Sequence, residues 1–522
     1  MWQDREPPPP ALAAWRHLEH GFDAAFGAAL SPLRHLGSLG FLVFWLLAVS
    51  GIYVYAVIDT SVAGAYASIV DLGRHQPWAG GVLRSLHRYA ADAFVILLAA
   101  HLGREWLLRH YRGARRHAWL TGVPTIALVF ISAIGGFWLH WDQLAQYSAI
   151  ATAEWLDALP LLATPLARNF LTEGAVSDRL FSLFVFVHLG APLLLLFTLW
   201  FHIQRLTRAA VWPPRALSLG LLVTLLALAL LQPVSSHAPA NLATVPQALR
   251  LDWALLFIHP LAEATSPAAA WALVAALLAL LSVLPFLPQP APAPVAVVDP
   301  ANCNGCRRCF VDCPFAAVTM APHPNGKAGK QIAVVDADLC TACGICVGAC
   351  PSSTPFRSAA DLVTGIDLPA APIGALRRDL QQQLATLKAP RPIVVFGCAQ
   401  GAALAPLAGD DIARFSLECT GMLPPSFVEY ALRDGAAGVL VSTCRPGGCE
   451  YRLGQQWTEQ RLRGEREPHL RAEVPQHRLE VAWADAGESG EAGPLQAALR
   501  RLRQRVSQLE PSTDPLPKVH HV

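Results

Sequence analysis

Residues 85–101 read SLHRYAADAFVILLAAH, and residues 181–202 read FSLFVFVHLGAPLLLLFTLWFH. Each stretch is apolar, long enough to cross a bilayer, and carries two histidines fourteen residues apart: His87 and His101 in one, His188 and His202 in the other. At the α-helical repeat, fourteen steps return to within about 40° of the start, so both histidines of a helix share one face. The rise between them is about 21 Å, most of the hydrocarbon thickness. Isolated intramembrane histidines are often polar groups satisfied by neighbouring helices, but four at matched spacing on two helices form a pattern.

Working outward, six apolar stretches reach spanning length: 38–58, 82–106, 119–139, 181–203, 215–233 and 268–287. Arg104, Arg109, Arg112, Arg115 and Arg116 follow the second, and Arg205, Arg208 and Arg215 follow the fourth. The loops after the first and third carry far fewer basic residues. By the positive-inside rule the even-numbered helices end in the cytoplasm, which places both termini there, in an inner (cytoplasmic) membrane protein. The second and fourth helices then run the same way. His87 is level with His188 near the outer face, and His101 with His202 near the inner face. Two stacked bis-histidine haem sites are the expectation. Gly37 and Gly51, and Gly122 and Gly136, repeat the fourteen-residue interval on the first and third helices, where a missing Cβ lets a porphyrin edge approach. Methionine ligation is excluded, because no methionine lies between Met1 and Met320.

Residues 35–210 resemble the four-helix haem-binding core of the cytochrome b of bc-type and photosynthetic quinol-oxidising complexes. SLHRYAADAFVILLAAH matches its second helix, and GGFWLHWDQ (135–143) the end of its third. The resemblance implies two b haems, ligated by His87/His188 and His101/His202, with Arg84 and Arg88 near a haem propionate. It also implies a quinone as redox partner and a dimer through this core. Two departures stand out. The Pro-Glu-Trp-Tyr element of the family's outer quinol site is missing, and the corresponding segment reads LDWALLFIHPLAEATSP (251–267). Its Asp252, His259 and Glu263 are candidates for quinone protonation near the outer face, or plain interfacial polar residues. No cysteine stands near the first helix to attach a further haem.

All twelve cysteines lie between Cys303 and Cys449. Cys303, Cys306, Cys309 and Cys313 form C-x2-C-x2-C-x3-C followed by Pro314, and Cys340, Cys343, Cys346 and Cys350 repeat it before Pro351. This is the signature of the two-cluster bacterial ferredoxins, in which the fourth cysteine of each run ligates the other cluster. One [4Fe–4S] centre is expected on Cys303, Cys306, Cys309 and Cys350, and another on Cys340, Cys343, Cys346 and Cys313. Zinc and disulfides fit such runs poorly in a cytoplasmic domain.

The remaining cysteines follow a different rule. IVVFG, IARFSLE and GVLVST are strand-like, separated by helix-like stretches such as PPSFVEYALRDG, and they lead into Cys398, Cys419 and Cys444, with Cys449 five residues on. In an open parallel sheet the carboxyl ends of the strands gather ligands at one edge. Four thiolates there suffice for one [2Fe–2S] centre, and the glycines of CRPGGC would let backbone amides approach sulfur; a reducible Cys444–Cys449 pair is the plainer alternative. Residues 390–460 resemble the delta subunit of methyl-viologen-reducing hydrogenase, through VVFGCAQ, ECTGMLPPSFVEYALRDGAAGVLVSTC and PGGCEYRLG. The resemblance implies a [2Fe–2S] cluster on Cys398, Cys419, Cys444 and Cys449 and a heterodisulfide-reductase-like flavoprotein as partner. The family usually has another cysteine at the position of Gly401.

The fold expected is multi-domain: an all-α transmembrane cytochrome b bundle of six spans, then an α+β ferredoxin domain, then an α/β iron–sulfur domain. Its parts are a cytoplasmic amphipathic segment (1–36) without signal-peptide character, the di-haem core (37–210), two further transmembrane helices (211–288) and a Pro/Ala linker (289–300). A ferredoxin-like domain (301–360), a connecting segment (361–388), the hydrogenase-delta-like domain (389–507) and a disordered tail (508–522) follow. A net charge of +2 gives no argument for nucleic acid. Every module is a one-electron carrier and none offers a nucleophile–base pair. The expected role is the electron-transfer subunit of a quinone-dependent oxidoreductase, rather than a stand-alone enzyme. The alternative is a membrane anchor and docking carrier without its own quinone site.

Overall fold

The computed structural model describes residues 2, 9–159, 165–172, 174–204, 207–246, 248–288, 293–324, 329–353, 362–407 and 409–508. Arg205 of the basic loop, residues 289–292 of the linker, 354–360 of the ferredoxin-like segment and the tail beyond Gln508 lie outside these residues. The chain divides into two compact units. One comprises His35–Arg205 and Ala209–Pro288; the other comprises Met1–Arg34, Leu206–Arg208 and Gln289–Val522. The first helix, α1 (Pro10–Phe26), therefore belongs to the second unit.

The helical unit contains α2 (Leu36–Val57), α3 (Ala65–His75), α4 (Val82–Leu107), α5 (Arg116–Trp138), α6 (Gln143–Asp157), α7 (Leu166–Phe170), α8 (Asp178–Ile203), α9 (Arg215–Leu231), α10 (Ile258–Ala264) and α11 (Pro267–Val283). By length and composition α2, α5, α8 and the stretch 267–286 can each cross a membrane. At 26 residues α4 is long enough, but Arg84, Arg88, Asp92, Arg104 and Glu105 lower its hydropathy. The last of the six expected spans to consider, α9, is apolar but has only 17 residues. Pro124 inside α5 and Pro192 inside α8 are tolerated, as proline is in helices buried among others. The core is formed by α2 packed along α4 and α5 along α8, with α9 against α4. Phe44, Val129 and Leu195 pack together with Phe94 at its centre. Each stands seven residues from the flanking glycines or histidines of its helix, so this apolar layer falls midway between two polar tiers.

The second unit joins two folds through one core. In its ferredoxin-like part, β1 (Val297–Val298) pairs antiparallel with β4 (Ile366–Asp367), and β2 (Val318–Pro322) with β3 (Gln331–Val335). The end of the expected linker is thus a strand. Two short helices, α12 (Arg308–Asp312) and α13 (Ile345–Gly348), follow the first cysteines of the two runs. The α/β part starts with α14 (Ile373–Thr386). Its sheet contains β5 (Ile393–Cys398), β6 (Ile412–Leu417), β7 (Gly438–Thr443) and β8 (Leu479–Trp483), all parallel, in the order β6-β5-β7-β8. The remaining helices are α15 (Ser426–Arg433), α16 (Gly454–Leu462) and α17 (Pro494–Ser507).

A sheet covered on both faces needs apolar residues at every position, which is why these strands read as continuous runs. Alternation divides them. Val394 and Phe396 face one side, with Phe415, Val439 and Val441, against Ile373, Leu376 and Leu380 of α14 and Phe427 of α15. Ile393, Val395 and Leu440 face the other, against Leu495, Leu499 and Leu502 of α17. The first of these cores continues into Val318, Val347 and Ile366 of the ferredoxin-like part.

The amphipathic α1 packs with its charged side inward. Arg16, Glu19 and Asp23 are buried, while Leu18 and Phe26 are about half exposed. Their partners explain it. Arg34 donates to Asp23 and, at 2.9 Å, to Asp485, whose carboxylate also lies 3.6 Å from Arg16. Arg445 pairs with Glu488 at 2.7 Å.

Candidate functional sites

In the helical unit the four histidines form two tiers. The rings of His87 and His188 lie 6.2 Å apart between centres, and those of His101 and His202 lie 6.4 Å apart. Metal–imidazole bonds are about 2.0–2.1 Å long. Two such bonds, with each nitrogen's offset from its ring centre, fill a gap of this size. The second nitrogens are anchored. His87 Nδ1 lies 3.1 Å from the Leu47 carbonyl and 3.1 Å from Ser50 Oγ, and His188 Nδ1 lies 2.8 Å from the Ser132 carbonyl. His202 Nδ1 stands 3.5 Å from Thr121 Oγ1, and His101 Nδ1 is 3.9 Å from Glu105. A carbonyl at Nδ1 fixes the proton there and leaves Nε2 as the metal-accepting nitrogen.

The four glycines stand against the histidine rings. A Cβ on Gly51 would lie 2.9 Å from His87 Cε1, and one on Gly136 would lie 2.8 Å from His188 Cε1. On Gly37 and Gly122 it would stand 3.4 Å and 3.2 Å from the rings of His101 and His202. Each glycine makes room for an imidazole. Two of the hydroxyls beside a ring, on Ser50 and Thr121, directly precede these glycines, a Ser/Thr–Gly pairing visible in the sequence.

The His87/His188 tier opens into a cleft lined by Gly51, His87, Gly136, His188, Arg84 and Arg88 among others. Arg84 is buried and donates to Ser236 Oγ at 2.7 Å and to the Ile69 carbonyl at 3.3 Å, and its Nε has no hydrogen-bond partner among the described residues. A buried cationic orphan beside a bis-imidazole cleft fits an anionic substituent on the group held there. Arg88 pairs with Asp92 at 2.7 Å and with Asp252.

That pairing bears on the segment 251–267. Asp252 is taken up by Arg88 and also caps the turn below it, accepting from the Leu255 amide at 2.9 Å. His259 is buried, 3.0 Å from Ser148 Oγ, and burial pushes it down to about 4. Burial, with the hydrogen bond that its hydroxyl donates to the exposed Glu263, raises Tyr147, whose ring stands edge-on to His259. His259 and Glu263 thus gather around Tyr147, while Asp252 belongs to a separate ion pair.

The second unit holds three cysteine sets, and all twelve thiols are free. Cys303, Cys306, Cys309 and Cys350 line one cavity of about 310 Å³. Cys313, Cys340, Cys343 and Cys346 line another of about 350 Å³. The fourth cysteine of each run stands with the first three of the other. Left-handed residues shape both loops: Gly305 and Arg307 in the first, Ala342 and Gly344 in the second. Burial and neighbouring thiols push Cys309 up to about 12, and burial does the same to Cys343. Among the described residues no three candidate groups converge as a single ion's shell requires. Thiols spread around a cavity suit a multi-atom cluster instead.

The third set sits at the carboxyl ends of the paired strands β5 and β7, whose chain continues to β6 on one edge and β8 on the other, the point at which α/β sheets open a crevice. Cys398 ends β5, Cys444 follows β7, and their sulfurs are 3.5 Å apart. Hydrogen bonds from Cys419 and Cys444 lower Cys398, and those same bonds raise its two neighbours. Cys449 joins through Cys419. The glycine that admits these sulfurs is Gly454, where a Cβ would collide with Cys419 Sγ and approach Cys449 Sγ to 3.5 Å. Gly447 and Gly448 of CRPGGC instead receive the side chain of Arg34. At Gly401 a Cβ would stand 2.7 Å from the Ala484 carbonyl, so that position has no room for a side chain.

Three family models match this chain. Residues 23–210 match cytochrome b/b6/petB, residues 302–354 a 4Fe-4S dicluster domain, and residues 393–510 the methyl-viologen-reducing hydrogenase delta subunit. A cytochrome b of Allochromatium vinosum is 26% identical over 170 residues, covering 33% of this chain and 41% of that protein. A cytochrome b of Schizosaccharomyces octosporus is 30% identical over 165 residues, covering 31% and 42%. The chain spans about two fifths of the length of these curated relatives. A solved chain described as hyperthermophilic respiratory complex III overlaps 53% of this chain and 83% of its own length, at 20% identity and a TM-score of 0.42. The first family implies haem b and the second implies iron–sulfur clusters. In chain order, this protein carries a membrane-integral cytochrome b region, a 4Fe-4S dicluster region and a hydrogenase delta-subunit region.

Proposed function

We propose that the chain is the membrane electron-transfer subunit of a quinone-linked oxidoreductase, working between a cytoplasmic flavoprotein and the quinone pool. The observation that carries the reading is the pairing of four imidazoles in two tiers within a chain that also gathers twelve free thiols into three sets. Bound at these places, two b haems, two [4Fe–4S] clusters and one [2Fe–2S] cluster supply one-electron carriers and no substrate chemistry. The protein's own part is to hold imidazole tautomers, exclude water and keep thiolates in place. His87 and His188 would hold the outer haem, with Arg84 and Arg88 toward its propionates, and His101 and His202 the inner one.

In this reading six helices cross an inner membrane, including α4 and α9. The charges of α4 lie in its end turns and beside its partners, so its length decides. The basic loops after α4 and α8 put the cysteine domains in the cytoplasm. A haem pair across the bilayer moves charge through the membrane field, at about 2.3 kcal/mol per electron per 100 mV. With the cytoplasmic side negative, the field opposes an electron passing from a quinol near the outer face to the clusters and favours the reverse flow, from the clusters to quinone. The test is reduction of the clusters by quinol in energised vesicles, with and without an uncoupler. Reduction that rises when the uncoupler collapses the field is expected; unchanged reduction overturns an electron path through the field.

A second reading has specific support. Asp252, His259 and Glu263 are engaged by Arg88, Ser148 and Tyr147. That favours an anchor and docking carrier without its own quinone site in this segment. A quinone-analogue inhibitor that leaves the haem spectra and turnover unchanged would select it.

A further inference from the structure

Arg461, on α16, is among the largest fully buried side chains of the molecule. Its guanidinium reaches three places. It donates to Asp312 Oδ2 at 2.6 Å, to the Gly421 carbonyl at 2.8 Å and to the Ile345 carbonyl at 3.5 Å. Asp312 precedes Cys313, Ile345 lies between Cys343 and Cys346, and Gly421 is two residues past Cys419. One cation thus touches the backbone of both the second cubane set and the third set. Three glycines close the gap around it. A Cβ on Gly348 would strike the Gly421 carbonyl and come within 2.6 Å of Arg461. One on Gly421 would lie 2.8 Å from Ile345, and one on Gly454 would meet Cys419 Sγ. Asp312 is itself buried and shared with Arg466, which stacks at 3.4 Å on the Trp457 ring. The triad carries one net positive charge, with Arg461 and Asp312 buried and Arg466 partly exposed.

We propose that Arg461, with Asp312 and Arg466, is a charge bridge that sets the reduction potentials of the Cys313/Cys340/Cys343/Cys346 and Cys398/Cys419/Cys444/Cys449 centres, and so poises electron exchange between them. The proposal rests on the reading that both sets hold iron–sulfur clusters. In each exchange one electron leaves one centre, which is oxidised, and enters the other, which is reduced; no atom moves. Reduction adds negative charge to a thiolate-held cluster, and a buried cation beside it stabilises the reduced form. A pair held for packing alone would respond alike to loss of either partner. A charge bridge responds with opposite signs.

The experiment is an EPR-monitored redox titration of the purified full-length protein beside Arg461→Gln, Arg466→Gln and Asp312→Asn. Each arginine loss should lower the midpoint of at least one of the two centres, and Asp312→Asn should raise it. The expected size is about a tenfold change in the oxidised-to-reduced ratio at fixed potential, about 59 mV for a one-electron couple. Arg461→Lys should recover part of the shift. Shifts of one sign in all three variants, or no shift, overturn the charge bridge. Should Arg461→Gln fail to retain its clusters, the Arg466→Gln and Asp312→Asn pair decides by the same criterion. Wild-type protein that contains no iron and no acid-labile sulfide would overturn the cluster assignment instead.

Discussion

At the residue scale, the clearest lever is the space between glycine and imidazole. Cβ atoms at 136 and 51 would press on histidine rings at 2.8 and 2.9 Å, whereas at 37 the gap is an ordinary contact of 3.4 Å. Gly136→Ala should therefore displace His188 and lose about half the haem, while Gly37→Ala keeps both; the haem-to-protein ratio of purified variants reads the difference. Equal loss from both would show that the glycines serve something other than the rings. A second lever is Asp485. Burial raises its carboxyl, but Arg16 and then Arg34 more than offset this, and it titrates below the ordinary range. A depressed carboxylate stabilises the fold above its unfolded value of about 3.9 and ceases to do so as pH falls through the folded value. The second unit should lose stability below about pH 4, with a shallower slope in Asp485→Asn. Removing Arg34 leaves Asp23 and Asp485 short of a buried partner, a change that costs about 3–5 kcal/mol in comparable pairs. Thermal unfolding of Arg34→Ala checks it.

At the element scale, the crossed cysteine pairing has a plain consequence. Cys350 stands with the first run, so Cys350→Ser should abolish the centre built on Cys303, Cys306 and Cys309 and spare the one built on its own neighbours. Distinct EPR signals from the two cubanes would report which is lost. This crossing was legible because each run is a local motif whose spacing fixes its partner. The sheet was legible too: IVVFG, IARFSL and GVLVST are strands, and their carboxyl ends do bring the cysteines together. Legibility ended where partners are distant in sequence. Nothing local marks Arg461 as the partner of Asp312, 149 residues earlier, or sets apart Gly454 rather than Gly447 as the glycine that faces sulfur. The charged inward side of α1 escaped for the same reason, since Asp485 and Arg445, which it meets, lie beyond residue 440.

At the scale of the whole molecule, sequence periodicity carried furthest in the helical unit. A fourteen-residue interval on four helices places two glycines and two histidines in each tier, and the seventh residue between them falls in the apolar layer of Phe44, Phe94, Val129 and Leu195. The interval does not report the cap of segment 251–267, whose polar groups find partners on α4 and α6. Replacing Phe44 by Ala should cost about 3–5 kcal/mol, as for buried aromatics generally, and admit water between the tiers. Broadened haem spectra with both haems retained would be the sign.

The bond between Arg34 and Asp485 joins residues 451 apart. Arg34 precedes the helical unit along the chain, and Asp485 follows it. While the chain between is made, α1 has only its local pairs, Arg16 with Glu19 and Arg34 with Asp23, and lacks Asp485. Closure therefore follows the synthesis of the helical unit. A C-terminal domain made as a separate polypeptide would have to find its N-terminal strap by collision, and supplying residues 1–34 in trans should restore what severing them takes away.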